Sequence, residues 1–250
     1  MSFPMSILLQ QAHNAPAQAG SRAAAVSMFL LSLSFAVVLF GLSWWLAGTR
    51  TLLPVVCFGL GAAVSGVFLI RYWPARRLGY ANALTLARLA LAALMLVPLA
   101  DPRLTEGATG WMVFCLALVT LSLDGLDGPL ARRSGLAGPW GARFDMEVDS
   151  IFALLLAGVV WRSGAAGSWV LLLGSLRYVF VAASWALPWL DRPLPQRFRR
   201  KLVCVVQIGT LVALIAPVVQ PPYSWIAAAV ALALLAWSFA VDVIWLARRR

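Results

Sequence analysis

Charge is what this chain has least of. Only 12% of its 250 residues are Asp, Glu, Lys or Arg, against about a quarter in an ordinary soluble domain, while 62% are hydrophobic. That balance excludes a water-soluble domain and points to the membrane. Histidine is nearly absent: His13 is the sole copy and lies in the N-terminal tail, so no imidazole competes as a metal ligand. Cysteine is scarce as well. Cys57, Cys115 and Cys204 each stand alone in an apolar run with no partner at metal-ligand spacing, and they read as small buried hydrophobes. Residues Met1–Ala25 lack a basic segment running directly into an apolar core, so they read as a tail rather than a signal peptide. The net charge of +11 is not gathered on a basic face with interleaved aromatics, which argues against nucleic acid as a partner. The basic residues sit instead at the ends of apolar runs, where they meet anionic headgroups of membrane lipids.

What is present is a series of long apolar runs. Ser27–Gly48 and Leu52–Ile70 are uncharged and long enough to cross about 30 Å of hydrocarbon at about 1.5 Å per residue. Leu202–Val241 is also uncharged, and Pro217, Pro221 and Pro222 divide it into two spans. Eight membrane helices are expected: the first two runs, then about Asn82–Ala100, Gly107 into an aspartate-rich stretch, Arg143–Trp161, Ala166–Leu190, Arg200–Ile215 and Ser224–Leu246. The division is a tail (1–26), a two-helix hairpin (27–70), an interfacial linker (71–81) rich in aromatic and basic residues, and a six-helix catalytic domain (82–250). Loops containing Arg71, Arg76, Arg77, Arg132, Arg133, Arg143, Arg192, Arg197, Arg199, Arg200, Lys201 and the terminal arginines fall on one side; Arg50, Arg103 and Arg162 fall on the other. By the positive-inside rule the first side is cytoplasmic, with both termini and the aspartates on it. A bacterial inner membrane is the expected location. Trp44, Trp45, Trp73 and Trp111 read as interface anchors, and Asp242 as paired with the terminal arginines.

The stretch DGLDGPLARRSGLAGPWGARFDMEVD, from Asp124 to Asp149, contains the chemistry. Asp124 and Asp127 are three apart, and Asp145 and Asp149 four apart, so on helices each pair shares a face. Two such pairs at the ends of neighbouring antiparallel helices converge on one point. Bare carboxylates at the edge of hydrocarbon cost several kcal/mol in desolvation and repulsion, which one or two divalent cations remove. An all-oxygen ligand set suits Mg²⁺ or Mn²⁺ rather than zinc. Gly125, Gly128, Gly135, Gly138 and Gly141 let backbone approach a phosphate-bearing ligand, and Arg132 suits a phosphate or carboxylate. Glu147 reads as a local ion pair with Arg143, and Asn82 and Thr85 as helix caps.

The pattern Asp-x2-Asp-Gly-x2-Ala-Arg-x8-Gly-x3-Asp-x3-Asp, met at Asp124, Asp127, Gly128, Ala131, Arg132, Gly141, Asp145 and Asp149, resembles the signature of the CDP-alcohol phosphotransferases. Asn82-x-Leu84-Thr85-x-x-Arg88 resembles the start of the first core helix of that family, so the likeness runs from about Asn82 to Leu246 and leaves the first two helices outside it. The resemblance implies an all-α integral membrane fold of six helices, here preceded by two extra ones, usually in a homodimer with a cavity open to the cytoplasm. It implies that Asp124, Asp127 and Asp145 bind two metal ions, and that Asp149 also faces the metals and acts as general base. Asp124, Gly128, Ala131, Arg132 and Gly141 then line the CDP site. The reaction implied is attack of an acceptor hydroxyl on the β-phosphorus of a CDP-linked lipid, with CMP leaving.

For the acceptor, Arg177 inside an apolar span and Arg200 with Lys201 at the start of the seventh helix are the candidates. They suggest a phosphorylated small alcohol resembling glycerol 3-phosphate, with CDP-diacylglycerol as donor. The chain lacks a Gly-Lys-x-Lys-Thr segment after the fourth core helix, which many relatives using that acceptor have. The alternative inverts the donor, with CDP-choline or CDP-ethanolamine passing its headgroup to diacylglycerol. A divalent-cation transporter would place acidic residues at depth in several helices, and an intramembrane aspartyl protease would use two aspartates sharing one proton. Four aspartates at one face fit neither as well.

Overall fold

In the computed structural model, residues 18–47, 52–73, 75–134, 136, 138–192 and 198–248 are described, without the side chains of 18–21, 47 and 126–134. Most of the expected tail and the loop 193–197 lie outside them. The long elements are all helices: α1 Gln18–Ala47, α2 Leu52–Tyr72, α3 Tyr80–Leu94, α4 Leu96–Ala100, α5 Gly107–Ser134, α6 Pro139–Arg162, α7 Leu171–Ala186, α8 Phe198–Ile215 and α9 Tyr223–Ala247. Every expected helix is found. The first begins at Gln18 rather than Ser27, and the third is interrupted at Met95. Pro98 explains the break, because it lacks the N–H that would bond to the Leu94 carbonyl.

Among the described residues six helical stretches are long and apolar enough to cross a membrane: Arg22–Leu46, Leu52–Tyr72, Tyr80–Ala100, Gly107–Gly125, Ser168–Ala186 and Tyr223–Ala247. The expectation of eight is met in helices but not in apolarity. The first half of α6 contains Arg143, Asp145, Glu147 and Asp149, and α8 opens on Arg199, Arg200 and Lys201. Apolar side chains such as Leu33 and Val37 on α1, Leu60 and Val67 on α2 and Ile226 on α9 stand exposed. Such surfaces are stable against lipid, not water, and the protein is an all-α integral membrane protein. Serines survive on α1 because Ser27, Ser32 and Ser34 each donate to the carbonyl four residues back.

The chain forms two compact units. One comprises residues 18–101 and 115–152: α1 and α2 form a hairpin that packs on α3, whose alanines permit close approach. Gly79, at φ 83°, turns the chain into α3. Here Trp73 is not an interface anchor. It is 3% exposed, donates from Nε1 to the Arg77 carbonyl at 3.0 Å and meets Trp140 edge-on at 5.6 Å. Trp44 and Trp45 are exposed as expected. The other unit comprises residues 102–114 and 153–248. Within it α9 packs on α8 and α7, Gln207 on α8 donates to the Leu173 carbonyl, and Ser224 donates to the Ala165 carbonyl at 2.6 Å. The three cysteines are free and exposed rather than buried. A thiol is apolar enough to face hydrocarbon, so an apolar environment did not require protein around it.

Candidate active site

The first unit brings α3, α5 and α6 together around an acidic cluster. Asn82 sets the register. It does not cap α3: Gly79 precedes the helix, and Asn82 donates from Nδ2 to the Leu78 carbonyl at 2.6 Å. Its Oδ1 faces Gly141, where an added Cβ would come within 2.6 Å of it. Only glycine lets α6 approach α3 that closely. Thr85, also read as a cap, bonds back to the Ala81 carbonyl at 3.0 Å. Arg88 lies six residues beyond Asn82, and Asp145 and Asp149 four and eight beyond Gly141. Both helices rise about 9 Å over six residues, so the contact at Asn82 and Gly141 brings Arg88 level with the two aspartates.

Arg88 is 1% exposed and reaches three carboxylates. Its Nη1 donates to Asp145 at 2.6 Å, and its Nη2 lies 2.9 Å from Asp124 and donates to Asp149. Ligand oxygens of Asp124, Asp145 and Asp149 all lie within 4.8 Å of one another. At that spacing two unit charges repel by about 3 kcal/mol at an effective dielectric constant of ~20. Among the described side chains one guanidinium offsets one of the three negative charges, and the negative surplus suits divalent cations. The donor set is oxygen only, so the residues fit Mg²⁺ or Mn²⁺. The expected convergence of two acidic pairs is thus seen for three of its four members. The side chain of Asp127, one helical turn beyond Asp124 on α5, lies outside the described residues, as do those of Ala131 and Arg132 and the surroundings of Gly128. No ion pair links Glu147 to Arg143 among the described residues, and Arg143 Nη1 is buried without a hydrogen-bond partner.

Arg88 is the member that sequence reasoning left without a role. The signal was there: it is the sole charge in the run from Asn82 to Ala100, and an arginine at such a position is a functional candidate by default.

The second unit holds a cluster of opposite balance. Arg199 Nη2 donates to Asp242 at 2.6 Å, and its Nη1 donates to the carbonyl and hydroxyl of Ser238, both at 2.7 Å. Asp242 therefore pairs with Arg199 and Arg200 of α8 rather than with Arg248, the terminal arginine among the described residues. Arg200 Nε lies 3.6 Å from Asp242 Oδ2, yet its three guanidinium nitrogens are buried without a hydrogen-bond partner. Lys201 is exposed. Arg177, on α7, is half-buried with its guanidinium 6.0 Å from the ring centre of Tyr178.

Residues 78–239 match the protein-family model described as CDP-alcohol phosphatidyltransferase. Cholinephosphotransferase 1 of Gallus gallus is 34% identical over 113 residues, which cover 42% of this chain and 34% of that protein. Cholinephosphotransferase 1 of Bos taurus is 32% identical over 113 residues, covering 42% of this chain and 28% of that protein. The chain spans about a third of the length of these curated relatives. No solved structure matches it.

Proposed function

The chain belongs to the CDP-alcohol phosphatidyltransferase family, and from that premise we propose that it transfers a phosphatidyl group from CDP-diacylglycerol to a small phosphorylated alcohol resembling glycerol 3-phosphate, releasing CMP. The observation that carries the acceptor is Arg200, whose buried guanidinium nitrogens lack hydrogen-bond partners. A phosphate monoester supplies the oxygens they lack. Arg177 and Lys201 complete the acceptor site, and Asp124, Gly128, Ala131, Arg132 and Gly141 hold the CDP group.

The convergence of Asp124, Asp145 and Asp149 supports the reaction centre. Two Mg²⁺ or Mn²⁺ ions, held by these residues and Asp127, would neutralise the pyrophosphate and stabilise the departing oxygen. Asp149 accepts the proton of the acceptor hydroxyl as its oxygen bonds to the β-phosphorus and the bond to the CMP oxygen breaks. The arginine-rich loops support a cytoplasmic position for the centre and both termini, and the proposed enzyme is a homodimer. Terminal-tag accessibility and cross-linking in membranes test those two statements.

The names of the two matched relatives favour a second reading, in which CDP-choline or CDP-ethanolamine donates its headgroup to diacylglycerol. Purified protein with Mn²⁺ and each labelled donor in turn separates them. Release of CMP from CDP-diacylglycerol with glycerol 3-phosphate supports the first. Release from CDP-choline with diacylglycerol alone establishes the second, and metal flux into liposomes without any CMP release would mark a transporter.

A further inference from the structure

We propose that Arg88 is a built-in counter-cation of the metal site: it holds Asp124, Asp145 and Asp149 together when no divalent ion is bound, and it weakens the hold of the site on the ion. The inference rests on the reading of the three carboxylates as metal ligands.

Three observations carry it. First, the Arg88 side chain is 1% exposed on a helix that is otherwise apolar or small over its length, apart from Asn82 and Thr85. A buried arginine is stable there only when paired, and among the described residues its partners are the three acids. Second, the acids come from two helices and the base from a third. Nη1 takes Asp145 from α6, and Nη2 spans Asp149 of α6 and Asp124 of α5. The rigid guanidinium fork thus ties all three helices at one point. Third, the charges do not balance. Among the described carboxylates Arg88 offsets one of three negative charges, so the cluster keeps a negative surplus for divalent metal to match, before Asp127 is counted. The same positive charge repels an incoming cation, so the cluster stays assembled when empty and binds its ion less tightly than three bare carboxylates would.

The test uses the full-length protein in phospholipid nanodiscs, with thermal unfolding in EDTA or Mn²⁺ and Mn²⁺ affinity from the electron paramagnetic resonance of the free ion. Arg88→Gln lowers the metal-free midpoint by about 5 °C or more, Mn²⁺ recovers most of that loss, and Mn²⁺ binds about tenfold more tightly than to wild type. Arg88→Lys, which keeps the charge but not the fork, keeps near-wild-type Mn²⁺ affinity and loses part of the metal-free stability. Arg88→Gln combined with Asp124→Asn regains metal-free stability, because one unmatched carboxylate has gone. Mn²⁺ affinity in Arg88→Gln equal to or below wild type overturns the proposal, as does a loss of stability equal with and without Mn²⁺, the mark of a packing role alone. If Arg88→Gln does not accumulate, Arg88→Lys decides: Mn²⁺ affinity near wild type with a loss of metal-free stability that Mn²⁺ recovers supports the proposal, and a changed affinity or a loss equal with and without Mn²⁺ overturns it. Wild-type protein that binds no Mn²⁺ overturns the metal reading itself. Normal wild-type binding with unchanged affinity in Arg88→Gln overturns only the role of Arg88.

Discussion

Among the described residues, Arg88 with Asp124, Asp145 and Asp149 sets three acids against one base, whereas Arg199 and Arg200 with Asp242 sets two bases against one acid. Both clusters lie in a chain that is only 12% charged, where each buried charge without a partner costs several kcal/mol. A purely structural ion pair would be balanced. The surplus is negative in the first cluster and positive in the second, and each is what a ligand of opposite charge would complete: a divalent cation in one, a phosphate in the other. The clusters also differ in satisfaction. Arg199 has hydrogen-bond partners for both of its terminal nitrogens, while Arg200 beside it has none. One arginine latches α8 to α9, and its neighbour, within ion-pair range of Asp242, has hydrogen-bond donors left to offer a ligand.

The strongest way to break this comparison is at the acidic cluster. Asp149→Asn should lower the rate of CMP release by about 10²–10⁴-fold, the range for a lost general base, while CDP binding by calorimetry is largely kept. Full activity in this variant would remove Asp149 as the base. At the basic cluster, Arg200→Ala should raise KM for a phosphorylated acceptor by about 10–100-fold, the loss of a charge-assisted contact, with kcat changed less. An unchanged KM would make the surplus charge a membrane anchor and favour diacylglycerol as acceptor. Asp242→Asn should destabilise the protein by about 1–3 kcal/mol, because it weakens the charged partner of Arg199; thermal unfolding in detergent checks this, and Ser238→Ala should cost less. The smallest effect expected is at the helix contact. Gly141→Ala places a methyl group against Asn82 Oδ1 and should cost about 1–3 kcal/mol, part of which Asn82→Ser restores. An effect on Mn²⁺ affinity as well would show that this contact also sets the spacing of the acids.

The acidic cluster was legible in the residues because it is nearly local. Asp145 and Asp149 share a face by helical periodicity, and Asp124 sits on the preceding helix across a short loop. Arg88 is 57 and 61 residues from the aspartates it bonds, and Asp242 is 43 from Arg199. Neither separation leaves a periodic trace, so the first pairing was missed and the second was assigned to the nearest arginines. Trp73 and the cysteines went astray for a different reason. Apolarity says that a side chain leaves water, but in a membrane protein it can then face either lipid or protein.

Hydropathy and helical spacing, both properties of short stretches of chain, were enough to settle that this is an all-α membrane protein, where its helices run, and that Asp145 and Asp149 share one helical face. The tertiary structure alone decided which charges answer each other. That choice depends on how closely helices approach and in what register, and here the register of α3 and α6 turns on one glycine that lets the backbone meet Asn82.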